Sequence, residues 1–301
     1  MDWLWIPLTI AAALLQNLRT AVQRHLTGRL STNGATLTRF LYGLPLALGY
    51  LLLLLLLGHG MPRPGWDFWL WVVAGSLTQT LATVLLLTVL RQRNFAVGIA
   101  YSKTEVVQAA VFGLVVLGER VSALGALAIA LGTVGVMLFS LKKSAQPWRA
   151  FLTGWLERPA LLGMASAALF GLSAVGFRAA SLSLGHPSWL MAAGFALFWS
   201  AVIQSLLLSL YLRLREPGQL TAVWRARRVA VLAGITGISA SACWFTAFTL
   251  QQVAYVRTLG LIEMVFTFVI ARWGFKETPS RAEVLGILLL VAAIAIMLNV
   301  G

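Results

Sequence analysis

Three charged residues stand near the middle of long apolar stretches: Lys103, Glu105 and Glu263. An ionised side chain at mid-bilayer depth costs on the order of 3 kcal/mol even on the lenient insertion scale, so such groups pair, hold a ligand or carry protons. Lys103 and Glu105 are two positions apart, about 200° around a helix, and therefore need different partners. Tyr101, Ser102, Glu105 and Gln108 share one face at i−4, i−3 and i+3 spacing, a polar stripe suited to a cavity wall. Glu263 is flanked by Gly260 and Thr267, small neighbours that let a helix or ligand come close. Against a substrate or coupling site stands a plainer reading, a buried Lys–Glu or Arg–Glu pair that fixes packing. Trp199 and Trp244 also fall mid-span, as cavity wall or as packing bulk. Arg19, Arg39, Arg178 and Arg257 lie one or two turns from an expected helix end, where they either snorkel to the interface or serve as gating or anion contacts. His25, His59 and His186 fall in loops, so proton coupling would have to use a carboxylate. One cysteine, Cys243, supports neither a disulfide framework nor a metal site, and no cofactor is expected.

The elements that position these residues follow from composition. The chain has 301 residues, 59% apolar and only 11% charged, with mean hydropathy of +0.86, where soluble domains are roughly half apolar and a quarter charged. Apolar runs near 66–90, 122–141 and 282–300 are each long enough to cross a hydrocarbon core of about 30 Å. The pattern predicts an all-α integral membrane protein of about ten spans: 3–23, 36–58, 67–89, 96–117, 122–141, 160–180, 188–212, 229–250, 254–274 and 282–300. Breaks are marked by Gly58-His59-Gly60-Met61-Pro62, Gly185-His186-Pro187 and Glu277-Thr278-Pro279. The first span opens without basic residues and ends on Arg19 and Arg24, so it reads as a retained helix rather than a secretory leader. Trp3, Trp5, Trp66, Trp69, Trp148, Trp155, Trp189, Trp224 and Trp273 fall at expected membrane surfaces.

A net charge of +14 would suit nucleic acid only on a soluble face, whereas here the cations sit in short clusters between apolar helices. Eighteen of the 23 Lys and Arg residues lie at odd-numbered loops or adjoining helix ends, and four (Arg63, Arg120, Arg178 and Arg257) on the even side, with Lys103 inside the membrane. The positive-inside rule makes the odd loops cytoplasmic and places both termini outside.

The later helices of the two halves align with a shift of 158 residues, mapping Ala96, Glu105 and Glu119 onto Ala254, Glu263 and Glu277. Five spans per half is an odd number, so the halves run in opposite orientations, as in inverted-repeat transporters. Gly118-Glu119-Arg120-Val121-Ser122 after the fourth span, its echo Lys276-Glu277-Thr278-Pro279-Ser280, Arg39 in the second helix and Gly125, Gly132 and Gly135 in the fifth carry a resemblance. On them the sequence resembles the ten-helix EamA-type members of the drug/metabolite transporter superfamily, with one EamA-like unit at 3–141 and another at 160–300. The resemblance implies a bacterial inner-membrane exporter or exchanger of small metabolites, with a cavity between the repeats. Four-helix relatives carry an essential glutamate in their first helix; this first helix offers Gln16, Asn17 and Arg19 instead. Relatives are also drawn with both termini cytoplasmic, opposite to the charge count.

The leading expectation is a secondary transporter of a small polar, amino-acid-like metabolite, working by alternating access as an exporter or exchanger. The alternative transporter is an organic-anion or phosphorylated-metabolite antiporter, favoured by basic groups at helix ends. There is no P-loop and no loop long enough for an ATPase domain, so energy comes from a gradient or from exchange. An intramembrane enzyme is disfavoured by the lack of HExxH, GxSxG or a cysteine–histidine pair at membrane depth. A non-transporting membrane subunit is a further alternative. Partners are thus the small-molecule substrate and the bilayer, with no nucleic acid and no metal.

Overall fold

A computed structural model describes residues 3–90, 101–140, 156–269 and 280–300. These form α1 (Trp5–Leu26), α2 (Thr32–Leu41), α3 (Leu44–Leu56), α4 (Trp66–Leu90), α5 (Glu105–Leu117), α6 (Ala123–Ser140), α7 (Arg158–Ser183), α8 (Trp189–Arg215), α9 (Gln219–Arg225), α10 (Arg227–Leu250), α11 (Val253–Gly260), α12 (Ile262–Val269) and α13 (Arg281–Val300). No strand occurs among the described residues. Each of the ten expected spans meets one or two of these helices, and among the described residues six segments are long and apolar enough to cross a membrane by length and composition. Outward-facing Leu53, Leu56, Leu206, Leu210 and Val115 are exposed; an apolar surface of this kind is a liability in water and lipid contact in a bilayer. The chain is a multi-pass integral membrane protein. Ala96, the Glu277-Thr278-Pro279 break, Trp148, Trp155, Trp273 and the clusters Arg91, Arg93, Lys142, Lys143, Arg149, Arg272 and Lys276 lie outside the described residues.

Local chemistry sets the helix ends. Gly58 and Gly185 hold φ of 84° and 54° at the two expected loop signals, conformations that cost a glycine little. Three spans expected to be continuous are instead broken. Span two divides at Tyr42-Gly43, because Pro45 in the first turn of α3 lacks an N–H and clashes with the preceding turn. Span four has a turn at Lys103-Thr104 before α5, and span nine breaks at Leu261 between α11 and α12. The loop expected between spans seven and eight contains the additional short helix α9.

The chain divides into two compact units, each drawing on both halves of the sequence. Unit 2 comprises Pro7–Thr80 and Gly176–Leu250. Its core packs Phe68, Phe177, Met191, Phe195, Leu197 and Phe245, with the Phe177 and Phe245 rings 4.3 Å apart. A second cluster joins Leu26, Leu37, Leu212 and Val223, which is what holds α9. The α2–α3 break crosses α10 at two glycines, where a Cβ on Gly43 would come 3.2 Å from the Gly234 carbonyl oxygen and one on Gly234 2.6 Å from the Tyr42 backbone. Any larger residue at either position forces these elements apart.

Unit 1 comprises Met1–Ile6, Leu81–Val175 and Gln251–Gly301. Here α6 and α13 run against each other in backbone-to-backbone contact, a Cβ on Gly135 falling 2.7 Å from the Gly286 carbonyl oxygen. Small residues allow this approach, as expected for helix pairing in lipid.

Candidate functional site

Both helix breaks of unit 1 carry charge. Under the 158-residue shift, Lys103 corresponds to Leu261, so the two breaks fall at equivalent positions in the two halves. Glu105 then occupies the first turn of α5 and Glu263 the first turn of α12. A helix N-terminus favours an anion there, since its first N–H groups have no intrahelical acceptor. Arg257, in the last turn of α11, is placed favourably for the opposite reason.

The partners cross between the halves. Lys103 Nζ is hydrogen-bonded and ion-paired to Glu263 Oε1. Arg257 Nε lies 2.9 Å from Glu105 Oε1. Side-chain exposures of 20% for Lys103, 8% for Glu263, 11% for Arg257 and 17% for Glu105 put all four mostly out of reach of solvent. Glu105 also feels the charges of Lys103 and Glu263, so the two pairs form one electrostatic cluster of two acids and two cations.

Around the cluster, the polar stripe takes a form that uniform helix spacing does not anticipate. Tyr101 and Ser102 are buried but precede the Lys103-Thr104 turn, and only Glu105 and Gln108 lie on α5 proper. Tyr101 O accepts from the Thr104 hydroxyl at 2.7 Å, and Gln108 Nε2 donates to Thr104 Oγ1 at 2.9 Å. Tyr101 and Gln108, two of the four residues expected on one regular face, are thus linked through Thr104, which sequence reasoning did not single out.

The Gly-Glu-Arg-Val-Ser loop has its own anchoring. Gly118 closes α5 at φ of 69°, and Ser122 Oγ accepts from Gly125 N at 3.0 Å to start α6. At the matching place in the other half, Ser280 Oγ accepts from Glu283 N while Glu283 Oε2 accepts from Ser280 N at 2.7 Å, a capping box. In the first half Gly125 stands where that glutamate would be. Tyr255 fills the space, a Cβ on Gly125 falling 2.7 Å from its ring, and its hydroxyl accepts the Ser122 N–H at 3.1 Å. The phenol of α11 therefore does for Ser122 what a carboxylate does for Ser280.

The other candidates belong to unit 2. Trp199 packs edge-on against Trp69 and Phe198. Trp244 is buried, donates from Nε1 to Gln16 Oε1 at 3.1 Å and stacks on Phe248. Arg178 donates to the Phe248 and Thr249 carbonyls, satisfying acceptors that the last turn of α10 leaves open. Arg19 and Arg39 are both buried and both run past Gly237, where a Cβ would meet Arg39 Cγ at 2.7 Å and Arg19 Cδ at 3.4 Å. Arg39 Nη2 donates to Ser241 Oγ at 3.1 Å. Sequence reasoning missed Ser200, Gln204 and Ser241 beside Arg39, although polar letters at i and i+4 inside apolar α8 are the kind of signal that marked Gln108.

A helical, multi-span chain with buried opposite charges at broken helices belongs to the class of polytopic membrane proteins. Residues 3–141 match the EamA-like transporter family, a match that supports an EamA-type member of the drug/metabolite transporter superfamily. No curated protein matches the chain at a significant level. A solved crystal structure with 19% sequence identity superposes with a TM-score of 0.68, covering 99% of this chain and 98% of that one. At that identity the likeness concerns the fold alone.

Proposed function

We propose that the protein is a secondary transporter that exports or exchanges a small zwitterionic, amino-acid-like metabolite by alternating access. Glu105, Glu263, Lys103 and Arg257 form its binding and coupling set, and Tyr101, Ser102 and Gln108 part of the wall. The observation that supports this reading most is the charge-neutral cluster at two equivalent helix breaks. A zwitterion brings one carboxylate and one ammonium. It can take the place of the pairing partners without leaving a buried charge uncompensated, whereas a dianion would leave both glutamates facing excess negative charge. Broken helices at matched positions are also where inverted-repeat transporters put their substrates. On this reading 3–141 and 160–300 are the two inverted repeats, and the protein sits in a bacterial inner membrane.

The test is uptake into liposomes preloaded with unlabelled substrate, using neutral amino acids, dicarboxylates and sugar phosphates as competitors. Competition by neutral amino acids alone supports the reading. Competition by phosphates or dicarboxylates would favour the anion antiporter, and absence of any transport would point to a non-transporting subunit.

A further inference from the structure

One end of unit 2 gathers arginine. The end of α1, the loop into α2, the end of α8, the short helix α9 and the start of α10 meet there around Leu26, Leu30, Leu212, Val223 and Ala230. Arg29, Arg213, Arg215, Arg225, Arg227 and Arg228 are all exposed on this end. Against them stands one acid within residues 24–33 and 212–228, Glu216. It is half-buried, and its Oε1 accepts from Asn33 Nδ2 at 2.6 Å. The result is a strongly positive surface, of the kind that attracts anions.

Large apolar side chains stand among these cations. Trp224 is 63% exposed and Leu214 69%, and the Arg227 guanidinium lies 5.6 Å from the centroid of the Trp224 ring. An indole beside arginines suits a membrane surface, where the ring enters the headgroup layer and the charges stay at the level of the phosphates. Seven residues are too few for α9 to be stable alone. It is held by α2 and the residue before it: the Tyr42 hydroxyl, just past α2, donates to the Val223 carbonyl at 3.2 Å, Gln219 Oε1 accepts the Ser31 N–H at 3.1 Å, and the Val223 side chain is buried. These contacts leave Trp224 and Arg225 pointing outward. The surface is therefore in place before a partner arrives, and binding to it costs little ordering.

We propose that this end of unit 2 binds the headgroups of anionic phospholipids, with Arg213, Arg215, Arg225 and Arg228 on the phosphates and Trp224 and Leu214 at the acyl boundary. Guanidinium groups pair with phosphate through charge-assisted hydrogen bonds. Lipid is favoured over nucleic acid or an acidic protein because the patch lies at the ends of α8 and α10, both long and apolar enough to cross a membrane, and because exposed apolar groups stand between its cations. The site is independent of the substrate reading above. A bound lipid spans α8, α9 and α10, so its occupancy stabilises unit 2.

The test is thermal unfolding of the purified full-length protein in detergent, titrated with phosphatidylglycerol or with phosphatidylcholine. We expect a saturable rise in melting temperature with phosphatidylglycerol that phosphatidylcholine does not reproduce. Arg225→Gln with Arg228→Gln should raise the half-saturating phosphatidylglycerol concentration about tenfold or more, since each arginine near an anionic surface contributes about fivefold in affinity. Arg213→Gln with Arg215→Gln should do the same from the neighbouring helix, and serves if the first pair does not fold. The control is Arg63→Gln with Arg120→Gln, which removes two exposed arginines elsewhere and should leave the titration unchanged. Equal stabilisation by the two lipids would overturn the proposal. So would an equal shift in the control and patch variants, which would make the effect one of net charge. Stabilisation by soluble glycerol phosphate at the same concentrations would replace the lipid with a free phosphate ester, and stabilisation by an oligonucleotide alone would replace it with nucleic acid.

Discussion

Glu105 and Glu263 occupy equivalent positions in the two halves, each two residues past a helix break, yet each is paired with a cation that the other half lacks. Glu263 is paired with Lys103, whose counterpart is Leu261; Glu105 is paired with Arg257, whose counterpart is Ile99. The acids are symmetric and the cations are not. Two matched carboxylates therefore sit in unequal surroundings, which suits a device that alternates between two states.

Charge reversal separates pairing from function. Lys103→Glu combined with Glu263→Lys keeps an ion pair between the same positions, so a packing role would survive the exchange. We expect folded protein in the membrane, with near wild-type melting temperature and transport reduced by about 100-fold or more, because a charge set complementary to the transition state is not restored by restoring stability. Transport recovered to the wild-type rate would assign the pair to packing.

Removing one partner alone has a different signature. Lys103→Met leaves Glu263 without its cation in a poorly hydrated place, a change that costs about 3–5 kcal/mol when the remaining charge stays ionised. The melting temperature should fall well below that of the reversed pair. An unchanged melting temperature would mean that Lys103 does not stabilise the fold.

The packing of unit 1 predicts its own lesion. Gly135→Ala places a methyl group 2.7 Å from the Gly286 carbonyl oxygen, and backbone cannot swing aside as a side-chain tip can. We expect destabilisation of about 1–3 kcal/mol, read as a lower melting temperature. Gly58→Ala, a position with nothing within 4 Å but φ of 84°, should cost about 1 kcal/mol through backbone strain alone. A Gly135→Ala protein as stable as wild type would refute close backbone contact between α6 and α13.

Orientation is open to direct labelling. In a Cys243→Ala background, a cysteine at Arg225 should be shielded from an impermeant thiol reagent in intact cells, and one at His186 should react. The warrant is the asymmetry of Lys and Arg between odd and even loops. The reverse pattern would put both termini in the cytoplasm.

Most of the helical layout was legible because a bilayer demands long apolar runs and polar or glycine-containing ends, as at Gly58 and Gly185. The breaks at Lys103-Thr104 and Leu261 were not, since neither contains a proline and hydropathy runs straight through them. Uniform helical spacing therefore placed Tyr101, Ser102, Glu105 and Gln108 on one continuous face that the turn interrupts. That Lys103, Glu105 and Glu263 would need partners was legible from the cost of burying a charge. Their partners were not: Arg257 reads from sequence as a helix-end residue near the interface, and only the break after Gly260 brings it to Glu105. Tyr255 was invisible for a related reason, because its task is set by a serine 133 positions away.

The most direct measurement is the initial rate of substrate exchange in liposomes at matched reconstitution, for the wild type, Glu105→Gln, Glu263→Gln and the double variant. Members of one functional unit are not additive. Each single change should therefore lower the rate severely while the double costs little more than the worse single. Losses that add in free energy, or a fully active Glu263→Gln, would contradict a shared central site.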